Sequence, residues 1–288
     1  MTILKVDTVS GIGTEGTVFE GDITFDSLNY MTLPKGTTTQ SNRGRGMVLG
    51  GIHPEVTRME TYSLISSSNG VEFGSLGSAA IAWGGATGNA TRSVVAGGDG
   101  VINTIEYVQV VTLGNAADFG DLTVARRHTG PAGNNTRGIF AGGETAGSNT
   151  ITNVMDYITI ATTGNAADFG DQAVGSRGAG GCGSPTRAIW GGGQTGPTGI
   201  DVIDYATFAT TGNATDFGDL FQAVYSVRGC SASHTRGMWN GGYTTGYINI
   251  IQYVTIATTG NGADWGDMAN AKGGYNCTTS DCHGGLSE

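Results

Sequence analysis

Four near-copies of one segment recur along the chain: VTLGNAADFGD at 111–121, ATTGNAADFGD at 161–171, ATTGNATDFGD at 209–219 and ATTGNGADWGD at 257–267. A second block accompanies each. It reads RGMVLGG at 45–51, RSVVAGG at 92–98, RGIFAGG at 137–143, RAIWGGG at 187–193 and RGMWNGG at 236–242, with Arg-to-Arg spacings of 47, 45, 50 and 49. A tyrosine stands between the blocks each time, at Tyr62, Tyr107, Tyr157, Tyr205 and Tyr253. The first copy is degenerate, with SSSNGVEFGS at 66–75 in place of the TGNAADFGD segment. A period in this range restricts the fold to solenoids, propellers and arrays. Five copies fill residues 45–288.

Each block has a local reading. The runs Ile139-Phe140-Ala141 and Ile189-Trp190 are short and wholly apolar, as a strand buried on both faces would be. The Gly pair behind them permits a hard turn and close approach of neighbouring backbones. Around each tyrosine the chain alternates: Val108 and Val110, Ile158 and Ile160, Val254 and Ile256 share one face, which marks a half-buried strand. The TGNAADFGD segment carries the residues of tight turns, and its Phe or Trp should plug into the layer between units. A third extended run, such as AVGSRGAGGC, leads into the next Arg block. Three or four short strands per repeat predict an all-β, five-bladed β-propeller over 45–288, preceded by a short β-rich segment at 1–44. The order of strands predicts ring closure by pairing of the run 269–280 with 45–51.

Composition excludes several function classes. The net charge of −10, a pI near 4.7 and only three lysines (Lys5, Lys35, Lys272) argue against nucleic acid and against anionic membranes. No apolar run approaches a membrane span, and MTILKVDTVSGIGTEG does not read as a secretory signal. The four cysteines (Cys182, Cys230, Cys277, Cys282) are too sparse for a disulfide scaffold. They read as small buried reduced thiols, with a loose Cys-x4-Cys-His zinc pattern in NCTTSDCH and a Cys277–Cys282 bridge as alternatives.

The pattern of Gly-Gly, Tyr, an aromatic, then an Arg-bearing strand resembles the kelch propeller repeat. It departs from that pattern in placing the aromatic within DFGD and in lacking the Pro-rich turn. More specifically, TGNAADFGDL…TRGIFAGG resembles blade repeats of structural proteins of marine tailed phages, cyanophages included. The stretch LKVDTVSGIGTEGTVFEGDITFDSLNYMTLPKGTT resembles anchor segments of virion proteins of the same phages. The resemblance implies a virion protein made in the host cytoplasm, held to other virion proteins by residues 1–44, as a homo-oligomer or on a heteromeric seat. It also implies a propeller shown to a host-surface glycan or protein on a tail fibre or similar appendage. A capsid or neck decoration protein is the nearest alternative, and a propeller glycoside hydrolase is the alternative from another class.

The residues of 1–44 suit attachment. Val18, Phe19, Ile23, Phe25, Leu28, Tyr30 and Leu33 demand burial, yet the segment is too short to cover them alone.

Candidate sites are weighed against scaffold roles. The pairs Asp118/Asp121, Asp168/Asp171, Asp216/Asp219 and Asp264/Asp267 offer calcium-type oxygens, but repetition blade by blade favours satisfying turn amides or pairing with the recurrent Arg of an adjacent strand. Arg45, Arg92, Arg137, Arg187 and Arg236 could ring an anion, or make one ion pair or carbonyl contact per blade. An enzyme needs converging groups outside the repeat. Glu55, Glu72, Asp99, Glu144 and Asp201, and the scattered histidines His53, His128, His234 and His283, form no recognisable catalytic or metal-binding spacing. No catalytic residue, metal or cofactor is therefore expected. The copies differ most in the loop after Gly-Gly, which places His53, Glu144, Gln194, Tyr243 and Tyr247 on one face as candidate binding residues.

Overall fold

The computed structural model describes residues 45–272, apart from 53–54, 64–68, 79–80, 82–83, 111, 147–149, 226–229 and 234. The chain divides into two units, Met1–Gly36 and Thr37–Glu288, and every described strand belongs to the second. Five small antiparallel sheets form a five-bladed β-propeller, with no α-helix among the described residues. The expected attachment segment 1–44 and its boundary lie outside the described residues.

Blade 1 holds β1 (Arg45–Ile52), β2 (Glu55–Ser63) and β3 (Val71–Ser75). Blade 2 runs from β4 (Gly85–Gly88) through β5 (Arg92–Ala96) and β6 (Thr104–Gln109) to β7 (Ala117–Asp121). Blade 3 repeats the order with β8 (Gly130–Gly133), β9 (Arg137–Ala141), β10 (Val154–Thr159) and β11 (Ala167–Asp171). Blade 4 comprises β12 (Gly180–Gly183), β13 (Arg187–Gly191), the two-residue β14 (Gln194–Thr195), β15 (Thr198–Thr207) and β16 (Thr215–Val224). Blade 5 comprises β17 (Cys230–Ala232), β18 (Arg236–Asn240), β19 (Ile248–Thr255) and β20 (Ala263–Lys272).

Strands β4, β8, β12 and β17 neighbour one another in turn, and are therefore the innermost of their blades. Their sequences, GATG, GPAG, GGCG and CSA, are almost free of bulk. That is a packing requirement. A Cβ on Gly130 would sit 3.0 Å from the Trp190 ring of the next blade, and one on Gly181 would collide with the Pro131 carbonyl.

The core consists of layers between blades. Val94, Ile105, Phe119 and Leu122 of blade 2 pack with Phe140, Ile158 and Ile160 of blade 3. Comparable layers join blades 3 and 4, blades 4 and 5, and blades 1 and 2. Each DFGD or EFGS phenylalanine (Phe73, Phe119, Phe169, Phe217) is 2–3% exposed, as expected of the interblade plug, and burial of such a ring contributes roughly 1.5–3 kcal/mol. The blade 5 counterpart, Trp265, departs from that expectation at 49% exposed. Val48 of β1 is 48% exposed, whereas its counterparts Val95, Phe140, Trp190 and Trp239 are at most 4%. Both outliers belong to the two blades at the ends of the described chain.

One expectation about the third run is corrected. It is not one extended strand: in blades 3 and 4 only its last residues are ladder-paired, as β8 and β12, while the preceding ones cross between blades. Of the run 269–280 expected to pair with 45–51, residues 269–272 extend β20 along the outer edge of blade 5, where Lys272 is paired with Ile248. Residues 273–280, the rest of that run, lie outside the described residues.

Candidate binding face

The recurring polar groups are spent on joining blades. Arg92, Arg137 and Arg187 lie over Tyr107, Tyr157 and Tyr205 at 4.7–4.8 Å from the ring centroid, and Arg236 lies 5.7 Å from Tyr253 and 4.8 Å from Trp265. Each of these tyrosines meets the Phe or Trp of its own blade edge-on, at 5.0–5.8 Å. The guanidinium then reaches the next blade. Arg92 Nη1 donates to the Ile160 carbonyl (2.9 Å), Arg137 Nη1 to that of Phe208, and Arg187 Nη1 to those of Ile256 and Ala257 (3.0 and 2.9 Å). This matches the carbonyl contact weighed above, and leaves these cations facing rings and carbonyls. Arg45 begins β1, and its side chain lies outside the described atoms.

The repeated aspartates serve turns. Asp168, Asp216 and Asp264 accept from the N–H of Gly170, Gly218 and Gly266 (2.9–3.2 Å). Asp118 is exposed at the matching place. The second of each pair joins blades through its backbone: the N–H of Asp121, Asp171 and Asp219 donates to Oδ1 of Asn165, Asn213 and Asn261 in the next blade's TGN loop (3.1–3.2 Å). Asp267 ends the series opposite Ile250. The same loops donate from Gly164, Gly212 and Gly260 to the carbonyls of Phe119, Phe169 and Phe217 (2.7–2.8 Å). Gly170 has φ +138, and a Cβ there would run into the Gly212 carbonyl, so this clamp needs glycine on both counts.

A further set of buried groups was missed in the sequence. Glu106, Asp156, Asp204 and Gln252 each precede the repeat tyrosine and are at most 6% exposed. They hold the chain arriving from the preceding blade: Glu106 accepts from Gly77 N–H (2.8 Å), Asp156 from Thr123 N–H (3.1 Å), Asp204 from Ala173 N–H (3.2 Å) and Gln252 from Gln222 N–H (2.7 Å). The signal was present as EY, DY, DY and QY at one register. Asp156 alone also meets a buried cation, Arg126 Nη2 at 2.9 Å, which donates to the Phe140 carbonyl as well. Burial pushes the Glu106 carboxyl up, and it pushes the Asp204 carboxyl up to about 6 despite the Val174 and Ala173 N–H groups. Burial likewise lowers the Arg126 guanidinium, against the pull of Asp156.

Of the five loop residues, His53 lies outside the described residues. Glu144 is corrected: it is 1% exposed and bound by Arg127 Nη2 (3.2 Å) and Arg177 Nη1 (2.6 Å), so it is a structural anion and not a displayed one. Arg127 also reaches Asp99 (3.0 Å), and these carboxylates together hold its guanidinium above its ordinary value against desolvation. Gln194 Oε1 accepts from Arg177 Nε (3.1 Å). A polar ribbon, Asp99–Arg127–Glu144–Arg177–Gln194, thus ties blades 2, 3 and 4. The loops bring these residues together as expected, but for cohesion.

Blade 5 differs at this place. The backbone bridges Arg127–Glu144 and Arg177–Gln194 are matched there by Tyr225–Tyr243, and Tyr243 in turn bridges Tyr247. The rings follow: Tyr225 and Tyr243 centroids are 5.0 Å apart, Tyr243 and Tyr247 5.2 Å. Tyr247 is 60% exposed. Tyr225 was not foreseen, because it precedes its strand by five residues and only the bridge aligns it with Arg177.

The cysteine reading is also corrected. Cys182 of β12 and Cys230 of β17 form a disulfide between the innermost strands of blades 4 and 5. Equal place in adjacent repeats put them side by side. Cys277 and Cys282 lie outside the described residues. No group of three or more His, Cys, Asp or Glu among the described residues is placed to hold a metal ion. Fold and face define a propeller whose repeated polar groups bind blade to blade, with an aromatic departure on one blade. No family model and no curated protein matches the chain.

Proposed function

We propose that this chain is a non-enzymatic structural protein of a phage particle, its propeller displayed on an appendage such as a tail fibre to bind the host surface. The observation that carries the non-enzymatic reading is the destination of its polar groups. Arg92, Arg137 and Arg187, the Asn-Gly clamps, the polar side chains before the tyrosines of blades 2 to 5 and Glu144 all join blades, and the described innermost strands carry no carboxylate. A glycoside hydrolase needs a pair of carboxylates flanking the substrate. The particle assignment rests on the resemblance of TGNAADFGDL…TRGIFAGG and of residues 1–44 to virion proteins. The 1–44 segment then docks the chain on other virion proteins, and the face after the Gly-Gly turns is left for recognition.

The test is incorporation. Full-length chain supplied in trans during infection should co-purify with particles and be placed on an appendage by gold labelling. A 45–288 fragment should remain soluble and stay out of the particle. A full-length chain absent from particles refutes the proposal, and gold on the capsid or neck reassigns it to decoration.

A further inference from the structure

We infer that Tyr225, Tyr243 and Tyr247 form a subsite for a neutral sugar ring. The inference deepens the host-surface reading above and rests on it for biological meaning, though not for its chemistry. At the same position of the fold, blades 3 and 4 place ion-paired or amide side chains buried to various degrees, all committed to cohesion. Blade 5 places three aromatic rings, one of them mostly in water. Tyr247, mostly in water, adds little to the core, and with its two neighbouring rings it forms an exposed aromatic patch.

The backbone carrying the trio is tied by hydrogen bonds. Tyr225 and Tyr243 exchange backbone hydrogen bonds at 3.0 Å in both directions, and the loop is closed by Thr244 N–H to the Gly246 carbonyl (3.1 Å) and Ile248 N–H to the Gly242 carbonyl (3.1 Å). A preformed aromatic surface loses little entropy on binding. Partial burial, then the neighbouring Tyr243 and Tyr247 side chains, push the Tyr225 phenol above its ordinary value.

Charge and size select the ligand. The loop 243–250, YTTGYINI, has no ionisable group besides its two phenols, and the chain carries a net charge of −10, so anionic ligands are disfavoured. A stable protein–protein interface needs about 800 Å² per partner, whereas three partly covered rings of roughly 150–250 Å² each offer a few hundred at most. That area suits one pyranose. Its apolar C–H face packs on a ring while its hydroxyls meet the phenols and the Thr244 and Thr245 side chains.

Saturation-transfer NMR on the full chain tests this, with methyl β-D-glucopyranoside, methyl β-D-galactopyranoside and methyl α-D-mannopyranoside as probes and N-acetylneuraminic acid as the charged comparator. Transfer from the aromatic protons to the C–H protons of at least one neutral pyranoside is expected. Tyr247→Ala should weaken it about tenfold, the worth of one aromatic contact, and Tyr247→Phe should retain most of it. Leu113→Ala, an exposed residue of the blade 2 TGN loop, should leave it unchanged, and thermal melts should show all variants folded. Absence of transfer from all three neutral sugars, preference for the charged sugar, or transfer indifferent to Tyr247→Ala overturns the inference. Particle localisation is read separately: a chain found on particles without sugar transfer refutes this subsite alone, and transfer by a chain absent from particles refutes the virion reading alone.

Discussion

Asp204→Asn is expected to make the protein more stable at neutral pH, and the gain should vanish in acid. Asp204 is 2% exposed, accepts from Ala173 N–H, and has no ion-pair partner among the described residues, because Ser176 takes the register at which Arg126 serves Asp156. Its carboxyl is pushed from 3.8 up to about 6, chiefly by burial. That displacement corresponds to about 3 kcal/mol of native-state preference for the protonated form. Between about pH 4 and pH 6 the native state holds this proton and the unfolded state does not. Stability from this group is therefore full below pH 4 and is lost as pH rises through 6. Asn keeps the accepting oxygen and cannot ionise. Urea unfolding of wild type and variant from pH 4 to pH 7.5 should show their difference shifting by up to about 3 kcal/mol in favour of the variant as pH rises. Taking the difference cancels the other titrating groups. A pH-independent difference, or one that shifts the other way, refutes the burial argument.

Glu144→Ala should lower stability by about 2–4 kcal/mol by stranding Arg127 and Arg177, and a double-mutant cycle with Arg177→Ala should show strong coupling. Cys182→Ser should cost about 4 kcal/mol, from the chain entropy of a loop spanning 48 residues, and alkylation without reduction should leave Cys182 and Cys230 unlabelled in one cross-linked peptide; labelling of either thiol refutes the bridge. Phe169→Ala should cost about 3–5 kcal/mol, while Trp265→Ala, with half its surface in water, should cost under half of that; equal costs in chemical denaturation would mean that Trp265 is covered in solution.

The sequence alone determined the number of blades, the strand around each tyrosine and the place of the plugging phenylalanines. Those features are periodic, and periodicity is a one-dimensional property. It also narrowed the repeat arginines and aspartates to scaffold roles, since a group repeated blade by blade meets the same neighbour each time. Tertiary structure decided everything that depends on the pairing of one blade with the next. Glu144 stood in a variable loop and looked displayed, but Arg127 and Arg177, 17 residues before it and 33 after, enclose it. Cys182 and Cys230 looked like isolated thiols until two inner strands lay side by side. Tyr225 joined Tyr243 and Tyr247 only through a backbone bridge between segments 18 residues apart. In each case the sequence supplied chemically ordinary residues, and their role was set by distances that local propensity does not encode.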